Sequence, residues 1–387
     1  MASSKVVREY LAELINAGFE NRVPLSVPEE ISVKELVDIA DRGQMAYPVL
    51  CPLLKTVYDA SESELIRRRI LLSTKRSFLQ CKCAMELTKR LEEAGIKHQL
   101  LKGSVIRWLY PQPEMREMSD IDLVIYDESL DEAAKVIENM GFKNEGLVKH
   151  HMIFGNGNGV TIEAHWCLYD KNVDHSQAIY FNDNFRARLS EGKKYTYEFG
   201  REDFYIYMIS HMAKHFFETG CGIRNLLDIY VYLKRYDPEM DSDYVKCELK
   251  KCGTLDFEKN MRELSFIWLE KKECSGYYEK LFAYMVDSGI YGKNENGIWG
   301  QLSKETAEGE ENVKLRFYFP SIKFMKEKYT WLKNAPFLLP VAWVVRGASG
   351  FFSAESRHHK HKLQTAGNDE LQDMLEIYHN LKLDFRK

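Results

Sequence analysis

Two carboxylates in alternate positions, Asp120 and Asp122 in Ser119-Asp120-Ile121-Asp122-Leu123, constrain this chain more than any other feature. In an extended segment successive side chains point to opposite faces, so the two acids share one face while Ile121 and Leu123 enter a core on the other. Left bare, the acids repel each other. A divalent cation between them removes that cost, and hard oxygen donors of this kind select Mg²⁺ or Mn²⁺ over zinc. The pattern repeats in Thr161-Ile162-Glu163-Ala164-His165-Trp166, where Thr161, Glu163 and His165 fall on one face. Asp120, Asp122 and Glu163 on adjacent strands are therefore expected to hold two metals.

The chain enters this region through Gln99-Leu100-Leu101, read as a short buried strand that breaks at Lys102-Gly103-Ser104 and continues as a helix over 105–109. A Gly-Ser at a strand-to-helix turn lets backbone N–H groups approach an anion closely, and phosphate is the expected anion. Upstream, Ser61-Glu62-Ser63-Glu64 reads as a capping box that opens a long helix through Leu65, Leu72, Leu79, Leu87 and Leu91. Downstream, Ser129-Leu130-Asp131-Glu132 reads as a second box. Residues 150–154 and 160–166 read as strands joined by the turn-forming run Gly155-Asn156-Gly157-Asn158-Gly159, a hairpin that brings Glu163 beside the Asp120 strand. Beyond residue 171 strand signals thin out, and 204–217, 223–233 and 258–271 read as helices.

Strand, Gly-Ser turn, helix, Asp-x-Asp strand and a later third carboxylate together resemble the nucleotidyltransferase fold of the DNA polymerase beta superfamily. More narrowly, Leu101-Lys102-Gly103, Tyr110-Pro111, Arg116, Ser119-Asp120-Ile121-Asp122-Leu123 and Glu163-Ala164-His165-Trp166 are similar to the bacterial family called uncharacterised nucleotidyltransferases. The resemblance is strongest over 100–166 and continues through His211, His215, Arg224 and Asp228.

It implies an α+β protein: a small mixed-sheet nucleotidyltransferase core flanked by N-terminal and C-terminal helical regions. The expected divisions are 1–60, 61–185 for the core with its leading helix, 186–310 for a helical domain closing the cleft, and 311–387 for a basic aromatic region. It implies transfer of a nucleoside monophosphate, AMP from ATP being the expected case, to a hydroxyl of a small molecule or protein. Asp120, Asp122 and Glu163 then hold Mg²⁺ or Mn²⁺, with Glu163 also available as a base. Lys102, Gly103, Ser104 and Arg116 bind the nucleoside triphosphate, and His165, His211 and His215 contact the acceptor or position groups that do. The rival readings are a non-catalytic nucleotide- or partner-binding module and a toxin-like transferase acting on tRNA ends. For single residues, Arg116 has the alternative of an exposed pair with Glu114 or Glu117, and Arg224 that of an intrahelical pair with Asp228.

A formal net charge of −4 lacks the basic excess of a protein whose main partner is long nucleic acid. Eight cysteines without a Cys-x-x-Cys pair, an N-terminus broken by Arg8, Glu9 and Glu13, and no apolar run of membrane-spanning length place the expected location in the cytoplasm. Residues 303–312 read as a linker. Over 314–362 basic residues outnumber acidic ones, with Phe317, Phe319, Tyr329, Trp331, Trp343, Phe351 and Phe352 interleaved. That mixture suits either peripheral docking on a membrane or protein partner, or a tail whose rings pack while its basic heads reach water. His358, His359 and His361 read as a solvated run.

Overall fold

The computed structural model describes residues 3–148, 150–170, 175–183, 185–306, 313–352 and 354–383. Helices α1 (Ser4–Phe19), α2 (Val33–Gly43), α3 (Ala46–Leu53) and α4 (Ala60–Glu93) precede a seven-stranded sheet. Its strands are β1 (His98–Leu100), β2 (Ile121–Ile125), β3 (Lys143–Val148), β4 (His151–Gly155), β5 (Thr161–His165), β6 (Ala187–Leu189) and β7 (Thr196–Phe199), in the order β3-β4-β5-β2-β1-β7-β6. Within it lie α5 (Gly103–Ile106), α6 (Leu130–Asn139) and α7 (His175–Asn182). The mixed sheet and its flanking helices are the α+β architecture expected.

β2 is the central strand, and every one of its five residues is buried. It runs antiparallel to β1 and parallel to β5, with Asp122 registered on Glu163 and Leu123 on Ala164. Ile121, Leu123 and Ile125 join Ile162, Ala164 and Phe154 in a core against Leu87 and Leu91 of α4 and Ala133 and Ile137 of α6. Val124 belongs to a different core, which lies on the opposite face of the sheet. The Asp122 face therefore turns towards the helical body, as a strand period of two requires. The Gly155–Gly159 run is a plain hairpin turn, with Gly157 and Gly159 at positive φ.

That body continues with α8 (Arg201–Thr219), α9 (Arg224–Tyr236), α10 (Ser242–Lys251), α11 (Leu255–Leu269), α12 (Gly276–Ser288) and α13 (Gly297–Glu305). It ends with α14 (Val313–Tyr318), α15 (Ile322–Lys328), α16 (Leu339–Phe352), α17 (Ala354–Thr365) and α18 (Asn368–Leu381). One apolar core joins α1–α3 to α8–α13 and α18 and takes in Leu101 and Ile106 as well, across all four divisions drawn from the resemblance. Polar contacts fasten the same join: Trp268 Nε1 donates to Arg8 O at 3.0 Å, and Arg8 pairs with Glu279 at 2.7 Å. Met325, Leu332 and Ala342 form a separate small cluster.

Several local expectations change. The cap of α4 is Asp59, whose carboxylate accepts from Ser61 N and Glu62 N, because an Asp two residues earlier outcompetes the Ser61 hydroxyl. Ser129 makes no side-chain cap; its hydroxyl bonds Asp127 O. β3, β6 and β7 were not anticipated. β7 is short, but Glu92 at the end of α4 accepts from Lys194 N, Tyr195 N and Thr196 Oγ1 and holds it beside β1. His359 is buried with Nε2 on Asn294 O at 3.1 Å, so it is no part of a solvated run. Residues 303–305 continue α13, while 307–312 of the expected linker lie outside the described residues. So do the side chains of Phe351, Phe352 and Arg357 from the basic aromatic region.

Arg116 and Arg224 both depart from the pairings weighed for them. Arg116 Nε donates to both oxygens of Asp228, at 2.7 and 3.0 Å, and Tyr110 OH donates to the same carboxylate at 2.7 Å. Arg224 instead reaches Gln44 Oε1 at 2.5 Å and Glu117 O at 3.0 Å. The Arg116–Asp228 side chains are 7% and 5% exposed, so the pair is buried and links the segment before β2 to α9. Asp228→Ala strands a buried guanidinium and is expected to cost about 3–5 kcal/mol in urea unfolding, against at most ~1 kcal/mol for Asp237→Ala at the half-exposed Arg262 pair.

Candidate active site

β1 ends in a tight turn over 101–104, with Ser104 N bonded to Leu101 O at 3.2 Å. Lys102, the second residue of that turn, has φ 49° and ψ −123°, a conformation that L residues rarely adopt. The surrounding bonds hold it there: Leu101 N donates to Asp122 O, and Ile106 N to Lys102 O. The strained backbone aims the ammonium group at the acidic strand, where Lys102 Nζ meets Asp122 Oδ1 at 2.8 Å.

Asp122 carries the centre. The residue is 5% exposed, and the same Oδ1 lies 3.1 Å from His165 Nε2. His165 Nε2 is also 3.6 Å from Glu163 Oε2, and His151 Nε2 is 3.7 Å from that oxygen. Burial alone raises the Asp122 carboxyl, but Lys102 and His165 outweigh it and hold Asp122 well below the usual carboxylate range. Asp120 sits just ahead of β2, half-buried, and shifts the other way: burial and then the neighbouring Asp122 charge raise it, with Lys102 opposing. His165 is pushed down by burial and more strongly up by its bonds to Asp122 and Glu163. One acid of the pair is thus firmly ionised and the other readily protonated, as two close carboxylates require.

Asp122, Glu163 and His165 bring ligand atoms within 4.8 Å of one another, a set able to hold a divalent cation. Two carboxylates fit Mg²⁺ or Mn²⁺, and the imidazole in place of an all-oxygen set adds a donor that first-row transition ions accept more readily than Mg²⁺ does. Asp120 lies outside that tight group, with its charge coupled to it.

The predicted phosphate turn is more closed than its sequence implied. A Cβ on Gly103 would meet Met118 Sδ at 2.8 Å and Arg116 Nη1 at 3.2 Å. The glycine is required by that packing, whether or not a phosphate also approaches. Ser104 is buried, its hydroxyl towards Met118 Sδ. The guanidinium of Arg116, expected at the triphosphate, is engaged by Asp228. Ser119 Oγ, next to Asp120, bonds Tyr291 OH at 2.9 Å and Gln44 at 3.0 Å, so residues from α2's end and from beyond α12 reach the rim of the site.

Helix α8 covers the same face. His211 and His215 are one turn apart with their Nε2 atoms 3.1 Å from each other. His211 is pushed well down by burial, with Lys102, His215, Lys214 and His165 adding to the effect, which puts it in electrostatic reach of the centre. Tyr207 is raised by burial and by Asp122. His150 and His151 were missed as site residues, although the dipeptide opens the strand that pairs with β5 and His151 is registered on His165.

A family model described as uncharacterised nucleotidyltransferase matches residues 29–270. The chain belongs to that family. The match spans the whole sheet and α8–α11, so every residue of the centre falls inside it. No curated protein and no solved structure matches the chain. Membership in the uncharacterised nucleotidyltransferases supports transfer of a nucleotidyl group, with a nucleoside triphosphate as substrate and divalent metal as the usual helper.

The Asp120 shift sets a pH dependence. Its folded pKa lies above the unfolded value of about 3.9, so the folded protein holds the extra proton between the two. Metal-free protein should therefore lose stability as pH rises from about 4 through the raised value, and divalent-metal affinity should strengthen over the same window as the proton leaves. Asp120→Asn should flatten both slopes, read by thermal melts and metal titration at stepped pH.

Proposed function

We propose that this chain is a divalent-metal-dependent nucleotidyltransferase that moves a nucleoside monophosphate, AMP from ATP, onto a hydroxyl of a small molecule or protein. The observation that carries the reading is the register of Asp122 on Glu163 across parallel strands, with Lys102 bonded to the Asp122 carboxylate. Asp122, Glu163 and Asp120, with His165, are the groups that would hold Mg²⁺ or Mn²⁺. When bound, the metal supplies charge stabilisation at the α-phosphoryl group.

The protein's own groups supply the rest. Glu163, with 22% of its side chain exposed, is placed to take the acceptor proton as the hydroxyl oxygen bonds to the α-phosphorus and the α–β anhydride bond breaks. The electron pair of that bond leaves on pyrophosphate. Lys102, beside the Asp122 carboxylate, would balance the charge that builds on the leaving group. His165 keeps Asp122 and Glu163 oriented through its two contacts. Retention of all three carboxylates favours turnover over a non-catalytic module. Eight free cysteines support a cytoplasmic setting.

Incubation with each labelled nucleoside triphosphate and cell extract tests the reading, because a labelled product identifies donor and acceptor together. Asp122→Asn should lower metal-dependent transfer by several orders of magnitude while the chain stays folded. Unchanged transfer in that variant overturns the assignment. Gly103→Val is an unsuitable probe of nucleotide binding, since the valine would collide with Met118 before any phosphate arrived.

Among the described residues no helix is long and apolar enough to cross a membrane. The basic aromatic segment divides in two. Phe317 is buried and Trp343 donates to Pro320 O, whereas Phe337 is 79% and Val344 73% exposed near the exposed Lys333. That exposed apolar and basic mixture supports docking of α16 and its flank on an anionic membrane surface as the acceptor-side contact. Lys323→Gln, Lys326→Gln and Lys333→Gln together should weaken sedimentation with phosphatidylserine vesicles at least tenfold at low salt and remove its salt dependence. Parental binding by the triple variant assigns the segment to packing alone.

A further inference from the structure

Three imidazoles meet beside the carboxylates. His150, His151 and His165 present ligand atoms within 4.8 Å of one another, and their ring centroids are 4.7 to 5.6 Å apart. Strand geometry brings them there. His151 opens β4 opposite His165 at the end of β5, and His150 precedes it where Trp166 N bonds back to His150 O. His150 is 7% exposed and His165 6%.

Ordinary hydrogen bonding does not account for the cluster. The Nδ1 atoms of both His150 and His151 are buried and have no hydrogen-bond partner among the described residues. Buried polar atoms are rarely left so, and two on adjacent residues in one cluster call for a ligand. An anion is disfavoured, because Glu163 Oε2 stands 3.7 Å from His151 Nε2 and Asp122 lies on His165. A cation is favoured by the same two carboxylates.

We propose that His150, His151 and His165 form a site for a borderline divalent cation, Zn²⁺ by donor type, beside the carboxylate centre. Imidazole nitrogens suit Zn²⁺ and not the hard Mg²⁺ that carboxylates favour. Three protein donors are the number found where zinc keeps an exchangeable fourth ligand. Zinc–nitrogen bonds of about 2.0–2.1 Å put the nitrogens roughly 3.4 Å apart, so the cluster closes by about an ångström of ring movement. His165 is shared by both groups, which makes the two sites neighbours: one selective for oxygen-loving ions, the other for nitrogen-loving ones. Unlike the carboxylate centre, this site does not rest on the transferase reading.

The full chain, stripped with chelator, is titrated with Zn²⁺ against a chromophoric competitor in the absence of nucleotide. The parent should take up a tight equivalent that His150→Ala and His151→Ala each weaken at least a hundredfold, while Asp120→Asn and His215→Ala keep it. X-ray absorption at the zinc edge of the parent should show three imidazole nitrogens, a readout that needs no variant to fold. Failure of the parent to bind zinc overturns the proposal, as does an oxygen-dominated shell. Retention of zinc by His150→Ala with loss in His215→Ala moves the ion to the α8 pair and equally overturns it. Asp120→Asn that loses nucleotidyl transfer yet keeps zinc separates the two sites, and loss of zinc uptake with transfer intact leaves the transferase reading standing alone.

Discussion

A single carboxylate in the most buried strand governs this structure. Asp122 lies between β1 and β5 with apolar residues on either side, a place where an isolated charge is prohibitively costly. Lys102 and His165 make it tolerable by donating to the same oxygen. Their positions follow from that need. Lys102 keeps a rarely populated backbone conformation to reach it, and His165 is carried by the parallel strand that also presents Glu163. Strain of this kind persists only where the surroundings over-determine it, and it concentrates at functional sites.

The helical body bears on the site as much as the sheet does. α4 supports the segment before β2 from one side: Gln80 Nε2 donates to Met118 O at 3.0 Å and Arg76 to Ser119 O at 2.8 Å. From the other side α9 holds Arg116 through Asp228. Between these anchors Met118 packs onto Gly103, so the turn that carries Lys102 is wedged in place. Arg116 therefore acts on the centre through packing, by fixing the segment that leads into Asp120. The same logic explains why α1–α3 and α18, remote in sequence, share one core with α8 and α9: together they form the wall against which the acidic face is set.

Much of the fold was legible because strands and helices leave different periods. The alternation in Ser119-Asp120-Ile121-Asp122-Leu123 and in Thr161-Ile162-Glu163-Ala164-His165 marked two strands with acids on one face, and the glycine-rich run between 155 and 159 marked their hairpin partner. The family resemblance carried by those residues held over the sheet. Less legible were β6 and β7, whose few residues leave little period to read and which depend on Glu92 from another element. His150-His151 was visible as a dipeptide, but nothing local said that a third imidazole would meet it.

The amino-acid sequence alone determined which residues alternate, which segments are apolar on one face, and hence that carboxylates would line one side of a sheet. Those are local properties, set by a repeat of two along the chain and independent of what packs above. Only the tertiary structure decided that Arg116 pairs with Asp228 and not with Glu114, that Gly103 answers to Met118, and that His150 and His151 meet His165. Those contacts join residues from about fifteen to more than a hundred positions apart. Their partners are chosen by the burial of charge and the close packing of the whole body, which no short stretch of sequence contains.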